Sequence, residues 1–244
     1  MKELTIITGC DKNLQPEVVK QMDFTIGQMY AIVGNTGAGK SRFIKDIEQL
    51  AKGDTITRRR ILIDGKKGVQ RENLIAHLSQ SMRFVLDVSV LQFLTLHSQC
   101  RNKAIDPKEI VECANTITAE PIQLKDSLNL LSGGQTRALM IADLALICDS
   151  PIVLIDEIEN AGIDKEVALK LLLQQNKLIL AVTHDPHTAL MATGRIVMEN
   201  GGVTSMLTTS PDEKVLYEKL HMDYRKQKSL QRLLRQGDEL QWKK

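Results

Sequence analysis

A glycine-rich segment near the N-terminus ends in lysine and serine, and its spacing is typical of a phosphate-binding loop. The segment GNTGAGKS, from Gly34 to Ser41, fits the pattern GxxxxGK[ST] in full. Glycines let the backbone curl so that its N–H groups point at phosphate oxygens, and a following helix adds its positive end. In this arrangement Lys40 reaches the β- and γ-phosphates, and Ser41 holds Mg²⁺. The sequence therefore predicts a nucleoside triphosphate site.

Two adjacent carboxylates form a second candidate group. Asp156 and Glu157 end the apolar run that starts at Pro151. A carboxylate at the C-terminal end of a buried strand lies beside the phosphate loop in such folds. We predict that Asp156 holds Mg²⁺, directly or through water, and that Glu157 orients or polarises an attacking water. The alternative is an acidic strand end that faces solvent.

A second small glycine-rich segment, LSGGQ, lies directly before an apolar helical run. Ser132 and Gln135 have the spacing of a capping box, in which each side chain accepts from the other's backbone N–H. Gly133 and Gly134 leave backbone N–H groups open to a ligand, which makes an anion site at a helix start. The alternative is a helix that is merely well capped, but the other motifs favour the anion site.

The elements that must position these motifs alternate along the chain. Short apolar runs predict strands, and runs with helical spacing of apolar residues predict helices between them. This alternation indicates a parallel sheet with covering helices. The predicted strands are at 29–33, 61–65, 151–157 and 178–185, the helices at 40–51 and 166–175, and a hairpin turns at Asn200-Gly201.

In this order, the phosphate loop, LSGGQ, the Asp-Glu pair and a later histidine after a strand resemble an ATP-binding cassette (ABC) ATPase. The resemblance extends from the N-terminus to about Met206. It implies an α/β P-loop NTPase with a RecA-like parallel sheet core, an N-terminal β-subdomain and an inserted helical subdomain at about 88–148. We therefore expect a cassette at 1–209 and a basic helical tail at 210–244.

The resemblance also implies a head-to-tail dimer, expected to be a homodimer, that hydrolyses ATP with Mg²⁺. Each ATP lies between the phosphate loop of one chain and LSGGQ of the other, where Ser132 and Gly134 contact the γ-phosphate. Gln80 in HLSQ matches the glutamine that senses Mg²⁺ and water, and His184 in AVTHD matches the histidine that contacts the γ-phosphate. The remaining histidines have no matching role and are expected on the surface or in packing: His77, His97, His187 and His221.

The predicted site is then complete. The catalytic residues are Glu157, His184 and Gln80, and the metal ligands are Ser41, Gln80 and Asp156. The nucleotide-binding residues are Gly34, Asn35, Thr36, Gly37, Ala38, Gly39, Lys40, Ser41, Arg42, Ser132, Gly133, Gly134 and Gln135.

Several positions depart from the family pattern. The family stacks adenine on an aromatic residue near the N-terminus, whereas the stretch around Cys10 has none, so Cys10 or a neighbour is the expected apolar contact. Arg42 replaces a small hydroxyl residue and is expected to pair with the α-phosphate or to face solvent. Ile158 replaces a proline, and the loop that follows is one residue longer, with Asp164 as its acidic end. Communication between the two sites is expected to differ accordingly.

Composition narrows the class of partner. The net charge of +2 and the aromatic content of 3% argue against a surface that coats or stacks on nucleic acid, so no direct nucleic-acid contact is predicted. The four cysteines are scattered, which is typical of reduced thiols in a cytosolic protein. The N-terminus becomes polar too early for a signal peptide, and no run reaches transmembrane length. A membrane role therefore requires a partner.

The C-terminal tail is predicted to be one basic helix. Ser210 is the expected cap, Pro211 the first helical residue and Glu213 the residue that reaches back to the cap. We expect this helix to pack on its own domain, with partner binding and membrane-surface binding as alternatives. Its predicted apolar side consists of Val215, Leu216, Leu220, Leu230, Leu233 and Leu234.

Two functions follow from these patterns. The first is the ATPase subunit of an ABC transporter, cytoplasmic and held at the inner face of the membrane by a permease. The segment Gln80–Val90 resembles the one that receives a coupling helix, with Met82, Phe84, Val85 and Leu86 as contacts, unless these residues pack internally. The alternative is a soluble ABC ATPase that acts on a cytosolic complex in repair, translation or cofactor assembly. The basic run Arg58–Arg60 would then be a contact surface, unless it is only a solvated face.

Overall fold

Two sheets form the framework of the chain, for which a computed structural model describes residues 1–66 and 73–237. One sheet has six strands, all parallel except for the final hairpin, and the other has three antiparallel strands. The strands are β1 (Glu3–Ile7), β2 (Gln21–Thr25), β3 (Met29–Val33), β4 (Arg60–Ile63), β5 (Ile75–Leu78), β6 (Ile152–Asp156), β7 (Leu178–Val182), β8 (Gly194–Glu199) and β9 (Gly202–Thr208). Their order is β5-β6-β7-β3-β8-β9 in the larger sheet and β2-β1-β4 in the smaller. The predicted parallel core and N-terminal β-subdomain are confirmed.

Seven α-helices accompany the strands in the described part of the chain. They are α1 (Lys40–Glu48), α2 (Val90–Cys100), α3 (Pro107–Ile117), α4 (Gly133–Leu146), α5 (Lys165–Gln174), α6 (Pro186–Met191) and α7 (Pro211–Gln236). Within the predicted helical segment, α3 packs on α4, and α4 also contacts α5 beneath the larger sheet. Two of the starts are capped as the sequence predicts, by Ser132 on α4 and Ser210 on α7, and the Asp106 side chain caps α3.

The larger sheet is buried on both faces, because successive residues of its central strands alternate between two apolar clusters. In β6, Val153 and Ile155 pack against the helices α2 to α6, whereas Ile152 and Leu154 pack against α1 and the smaller sheet. This two-residue alternation is the geometry of a pleated strand. The carboxyl end of β6 is not fully buried, and Asp156 lies there with Glu157 directly after it.

The hairpin between β8 and β9 supports the glycine loop from below. Asn200 and Gly201 both have positive φ, of 50° and 86°, as a two-residue hairpin turn requires. The backbone N–H of Gly201 donates to the carbonyl of Ala38 at 2.9 Å. The predicted turn is confirmed, and it holds the loop in place.

The tail is a helix with the predicted cap and first-turn proline, but only part of the predicted apolar side is docked. Leu220 and Leu233 are half-buried, whereas Val215, Leu216 and Leu234 are 60%, 48% and 61% exposed. The helix packs on α6 mainly through aromatic and polar side chains, led by Tyr217 and Tyr224. Leucine spacing therefore indicated an amphipathic helix correctly and its docked face only in part.

The run Arg58–Arg60 is not a uniform solvated or partner-binding surface. Arg59 is fully buried and pairs with Glu17 at 2.9 Å and Asp46 at 3.0 Å. Its guanidinium also donates to the carbonyl of Gly201 at 2.8 Å. Arg59 therefore ties the smaller sheet to α1 and to the hairpin below the glycine loop.

Candidate functional site

The glycine loop joins β3 to α1 and can be built only with glycine at its key positions. Gly34 and Gly39 have φ of 153° and 99°. A Cβ on Gly34 would lie 2.3 Å from the carbonyl oxygen of Met198, and one on Gly39 would lie 2.8 Å from Cα of Gly201. Both approaches are impossible for other residues, so the strand–loop–helix context of a phosphate-binding loop is present.

Lys40 lies inside the curl of this loop. Its side chain donates to the carbonyls of Gly34 at 2.7 Å and Asn35 at 3.1 Å. Burial lowers the pKa of Lys40, and the nearby charges of Glu157 and Asp156 act in the opposite direction. These charges place the lysine and the two carboxylates in one electrostatic site, as the sequence predicts.

The two carboxylates differ in environment. Asp156 is the last residue of β6, and burial, followed by the charge of Glu157, raises its pKa. Glu157 has left-handed backbone torsions, with φ 51° and ψ 65°, and its N–H donates to the carbonyl of Val182 at 3.1 Å. This conformation costs on the order of 1–3 kcal/mol in a non-glycine residue. It turns the Glu157 carboxylate towards the loop after β7.

That loop carries His184, the predicted γ-phosphate contact. His184 Nε2 lies 3.9 Å from Glu157 Oε1. The loop is held by Glu159, whose carboxylate accepts from the Thr183 hydroxyl at 2.9 Å and from the His184 backbone N–H at 3.0 Å. Glu157 and His184 are thus brought together, and Glu159 positions them although the sequence did not single it out.

LSGGQ forms a capped helix start at some distance from the glycine loop. Ser132 and Gln135 form the predicted capping box, and the Gln135 side chain also donates to the carbonyl of Pro121 at 3.0 Å. A Cβ on Gly133 would meet nothing within 4 Å, so the backbone there is open. A cavity of about 810 Å³ lies over this helix start and is lined by Gln80, Ser81, Gly133, Gly134 and Arg137 among others, with no residue of the glycine loop.

Comparison with known proteins decides the family. The family model described as "ABC transporter" matches residues 19–160, which is more than half of the chain. This chain belongs to the ABC transporter family. An uncharacterized ABC transporter ATP-binding protein of Methanocaldococcus jannaschii is 48% identical over 231 residues, covering 91% of this chain and 88% of the relative. The predicted ATP-binding cassette and its ATPase class are confirmed.

Two solved structures agree with this fold. One is the ATP-binding subunit of an ABC transporter, with a TM-score of 0.63, 22% identity and coverage of 85% of this chain and 90% of that one. The other is a dimeric post-hydrolysis state of an ATP-binding cassette bound to ADP and Pi, with a TM-score of 0.60, 22% identity and coverage of 85% and 99%. At these identities the likeness supports the fold of the cassette, which is the predicted P-loop NTPase fold.

Arg137 is a residue of the cassette site that sequence reasoning missed. It lies two positions after LSGGQ, and its guanidinium donates to the carbonyls of Gln80 at 3.1 Å and Asp156 at 2.8 Å. Burial lowers its pKa, while the charges of Asp156, Glu159 and Glu157 raise it. Arg137 therefore links the glutamine segment, the end of β6 and the LSGGQ helix. In the sequence, the only indication of this role was an arginine near the start of an otherwise apolar helical run.

Two predicted contacts of the cassette with nucleotide are not supported. Arg42 Nε lies 3.3 Å from Asp46 Oδ1, one turn along α1, so its side chain is directed along the helix rather than at an α-phosphate. Cys10 is only 5% exposed, and its Sγ faces the carbonyls of Ile56 and Thr57 at 3.5 and 3.6 Å, so it is not open to a base. Lys12 was overlooked, yet its Nζ donates to the carbonyl of Gly37 at 2.5 Å and brings a second cation to the loop.

Proposed function

We propose that this cassette is the ATPase subunit of an ABC transporter, in which two chains close head to tail on two ATP molecules and drive a membrane permease. The observation that carries the proposal is the separation of two half-sites on one chain. The glycine loop, Asp156, Glu157 and His184 form one, and the open LSGGQ helix start forms the other. The predicted place of the subunit is the cytoplasmic face of the membrane, beside the permease.

The first half-site is suited to the triphosphate. Backbone N–H groups of Gly34–Gly39 surround the β-phosphate, and Lys40 exchanges its loop carbonyls for phosphate oxygens. Burial lowers the pKa of Lys40, and a phosphate anion would offset this effect because it favours the charged amine. The first turn of α1 contributes the helix dipole at the same place.

A magnesium ion fits the oxygen ligands beside this loop. Asp156 is a half-buried carboxylate whose pKa is raised first by burial and then by the charge of Glu157, so a dication would stabilise its ionised form and relieve the repulsion between the two carboxylates. Ser41 and Asp156 are the residues of this half-site that would hold the ion, which prefers oxygen ligands together with substrate phosphates. Gln80, the third predicted ligand, lines the cavity over LSGGQ, and Arg137 connects it to the end of β6 by donating to the carbonyls of Gln80 and Asp156. When bound, Mg²⁺ neutralises charge that develops on the phosphate oxygens.

Glu157 and His184 supply the chemistry on the protein side. Glu157 accepts a hydrogen bond from the attacking water and orients it at the γ-phosphorus. His184 donates to a γ-phosphate oxygen, where negative charge develops as the terminal P–O bond breaks. The 3.9 Å between Glu157 Oε1 and His184 Nε2 allows both side chains to reach the same γ-phosphate.

The second half-site then completes the catalytic centre of the partner copy. Gly133 and Gly134 are the first two residues of α4, so their N–H groups have no acceptor within the helix. The exposed Ser132 hydroxyl donates to Glu120 Oε2 at 2.7 Å, and a γ-phosphate oxygen would replace that acceptor. An anion at a helix start is stabilised by these donors and by the helix dipole. No residue of the same chain's glycine loop lines this cavity. This supports the proposal that LSGGQ binds the triphosphate held by the glycine loop of a second cassette.

The segment after Gln80 is the proposed contact with the permease. Met82, Val85 and Leu86 are 42%, 93% and 48% exposed, so they do not pack internally. Phe84 alone packs inward, with its ring 4.9 Å from that of Phe93. Clustered exposed apolar residues indicate a protein interaction site. In the described part of the chain no helix has the length and apolarity to cross a membrane.

The test is to purify the tagged native chain after gentle solubilisation and to identify the protein bound to it. We expect a polytopic membrane protein in stoichiometric amount, and we expect Val85→Asp to abolish its recovery. Val18→Asp is the matched control, because Val18 is 72% exposed on a different loop, and it should leave recovery unchanged. Recovery of a soluble complex instead would favour the alternative role on a cytosolic assembly.

A further inference from the structure

Three potential metal ligands meet where the tail helix packs on the cassette. Glu166 is in the first turn of α5, His187 is in the first turn of α6, and His221 is near the middle of α7. One ligand atom from each lies within 4.8 Å of the other two. His221 Nδ1 is 3.3 Å from Glu166 Oε2. None of these residues belongs to the ATP site described above.

His187 is the member that packing alone does not explain. It is only 4% exposed, and neither of its ring nitrogens has a hydrogen-bond partner among the residues that the structure describes. Leaving a buried polar group without a hydrogen bond costs stability. Its ring stacks on those of Tyr217, His221 and Tyr224, at 5.2, 5.7 and 4.7 Å between centroids. A phenyl ring would fill the same stack without that cost, so the imidazole nitrogens indicate a ligand.

The charges around the three residues allow a cation to bind. Lys165 brings a positive charge to the stack, with its Nζ 4.7 Å from the centroid of the Tyr224 ring. Lys165 is itself paired with Asp185, which reduces its repulsion of an arriving cation. Glu166 brings a negative charge to the site.

We propose that Glu166, His187 and His221 bind one divalent transition-metal ion of the zinc class. Two imidazoles and one carboxylate are a donor set typical of zinc, with water at the fourth position. Ligand atoms on one tetrahedral zinc lie about 3.3 Å apart, given metal–ligand distances of about 2.0–2.1 Å. The present separations of up to 4.8 Å close to that value by side-chain rotation.

The ion would connect the tail helix to two loops of the ATP site, the one that follows Glu157 and the one that carries His184. Glu166 follows Asp164, which ends the loop after Glu157, and His187 lies three residues after His184. The tail is otherwise held here through Tyr224, whose hydroxyl donates to Asp164 Oδ1 at 3.3 Å, and through Lys228, which pairs with the same carboxylate. Bound metal would therefore hold α7 against α5 and α6 and stabilise the loop that carries His184.

The experiment is a titration of the chelator-treated full chain with Co²⁺ and with Zn²⁺, without nucleotide. Cys100→Ser and Cys113→Ser are included in all chains, because these two thiols are not buried and could bind metal themselves. We expect one ion per chain, the visible absorption of tetrahedral Co²⁺, its displacement by Zn²⁺, and stronger protection of α7 from hydrogen exchange.

Two conservative variants separate a metal site from aromatic packing. His221→Phe keeps a ring in the stack but removes a ligand, and we expect it to weaken metal affinity by more than about tenfold, since even outer-shell changes do so. Tyr217→Phe keeps the stack and all three ligands, so its affinity should match the parent chain. Absence of tetrahedral Co²⁺ absorption, or equal affinity of His221→Phe and Tyr217→Phe, would overturn the proposal.

Discussion

Glu157 combines a strained backbone with a position beside the loop that carries His184. Its left-handed torsions persist because its N–H is bonded to Val182 and the buried strand β6 precedes it. We expect Glu157→Gln to bind ATP normally but to lose about 10²–10⁴-fold in turnover, since it cannot act as a general base. ATP-bound dimers should accumulate. Steady-state phosphate release, nucleotide binding and gel filtration with ATP measure these three properties.

The control for this change is a glutamate away from the site. Glu112 is exposed on α3, and Glu112→Gln should retain the parent rate. Undiminished hydrolysis by Glu157→Gln would contradict the assignment of Glu157.

Asp156 gives a prediction about pH and stability. Burial and the charge of Glu157 raise its pKa, so folding favours the protonated form and the ionised carboxylate lowers stability above that folded pKa. We expect Asp156→Asn to raise Tm at pH 7 without nucleotide while it abolishes Mg²⁺-dependent hydrolysis. The gain in Tm should shrink as the pH falls through the folded pKa. Scanning calorimetry across pH 4–8 follows it.

Asp54 provides a control of opposite sign. Hydrogen bonds from the backbone N–H groups of Lys52 and Asp54 lower its pKa, so its ionised form stabilises the fold above the unfolded pKa. Asp54→Asn should therefore not raise Tm at pH 7. A lower Tm for Asp156→Asn at that pH would show that the Asp156 carboxylate stabilises the apo protein instead.

At the scale of elements, two of the described helices begin with a capping box made of serine and glutamine, and one of these two carries a proposed ligand site. Ser132 caps α4 and Ser89 caps α2, each with glutamine at the third position. Either serine to alanine should cost about 1 kcal/mol of stability through loss of the cap. Ser132→Ala should in addition reduce ATPase activity about ten- to a hundredfold, because a hydrogen bond to a charged phosphate contributes about 1.5–3 kcal/mol.

Paired measurements of Tm and ATPase rate on these two variants distinguish a ligand site from a simple cap. Ser89→Ala should lose stability alone, with a fall in Tm of about 2–4 °C and an unchanged rate. If both variants lost stability equally and neither lost activity, LSGGQ would be only a capped helix start.

Elements with local signals could be predicted from the sequence, and residues with distant partners could not. The glycine loop, the strand end at Asp156 and the capped start at Ser132 depend on neighbours within a few positions, so their types and spacing suffice. Arg59 looked like part of a solvated run because its partner Glu17 lies 42 residues away. Arg137 likewise serves carbonyls 57 and 19 residues away.

The tail shows the same limit for a whole helix. Its cap at Ser210 is local and was predicted correctly. Its docked face depends on what α5 and α6 present, which is a buried imidazole at His187 and a carboxylate at Asp164. Aromatic and cationic side chains fit that surface better than leucines, so apolar periodicity alone indicated the docked face only in part. The pairing of His187 with His221 had no signal in the sequence for the same reason.

At the scale of the whole molecule, one chain carries two halves of an ATP site, the glycine-loop half and the LSGGQ half, and neither is complete. The cavity over LSGGQ is lined by no residue of the glycine loop. A two-fold dimer brings opposite halves together at two equivalent places, because symmetry repeats each contact. The chain is thus expected to hydrolyse ATP only when paired.

Mixing two inactive variants tests this pairing directly. Lys40→Ala disables the loop of one chain, and Ser132→Arg blocks the helix start of the other at an exposed position. A mixed dimer retains one intact composite site, made by the loop of the second chain and the LSGGQ of the first. With random exchange, half of the dimers are mixed and each has one of two sites, so about a quarter of the parent activity should return. ATPase rates of equimolar mixtures measure it.

The control mixture combines Lys40→Ala with Glu157→Gln. Both changes lie in the same half-site, so a mixed dimer of these variants has no intact composite site and should stay inactive. Recovery with Ser132→Arg and none with Glu157→Gln would assign the two half-sites to opposite chains. Equal inactivity of both mixtures, with exchange of subunits verified by differently tagged chains, would mean that each chain completes its own catalytic site.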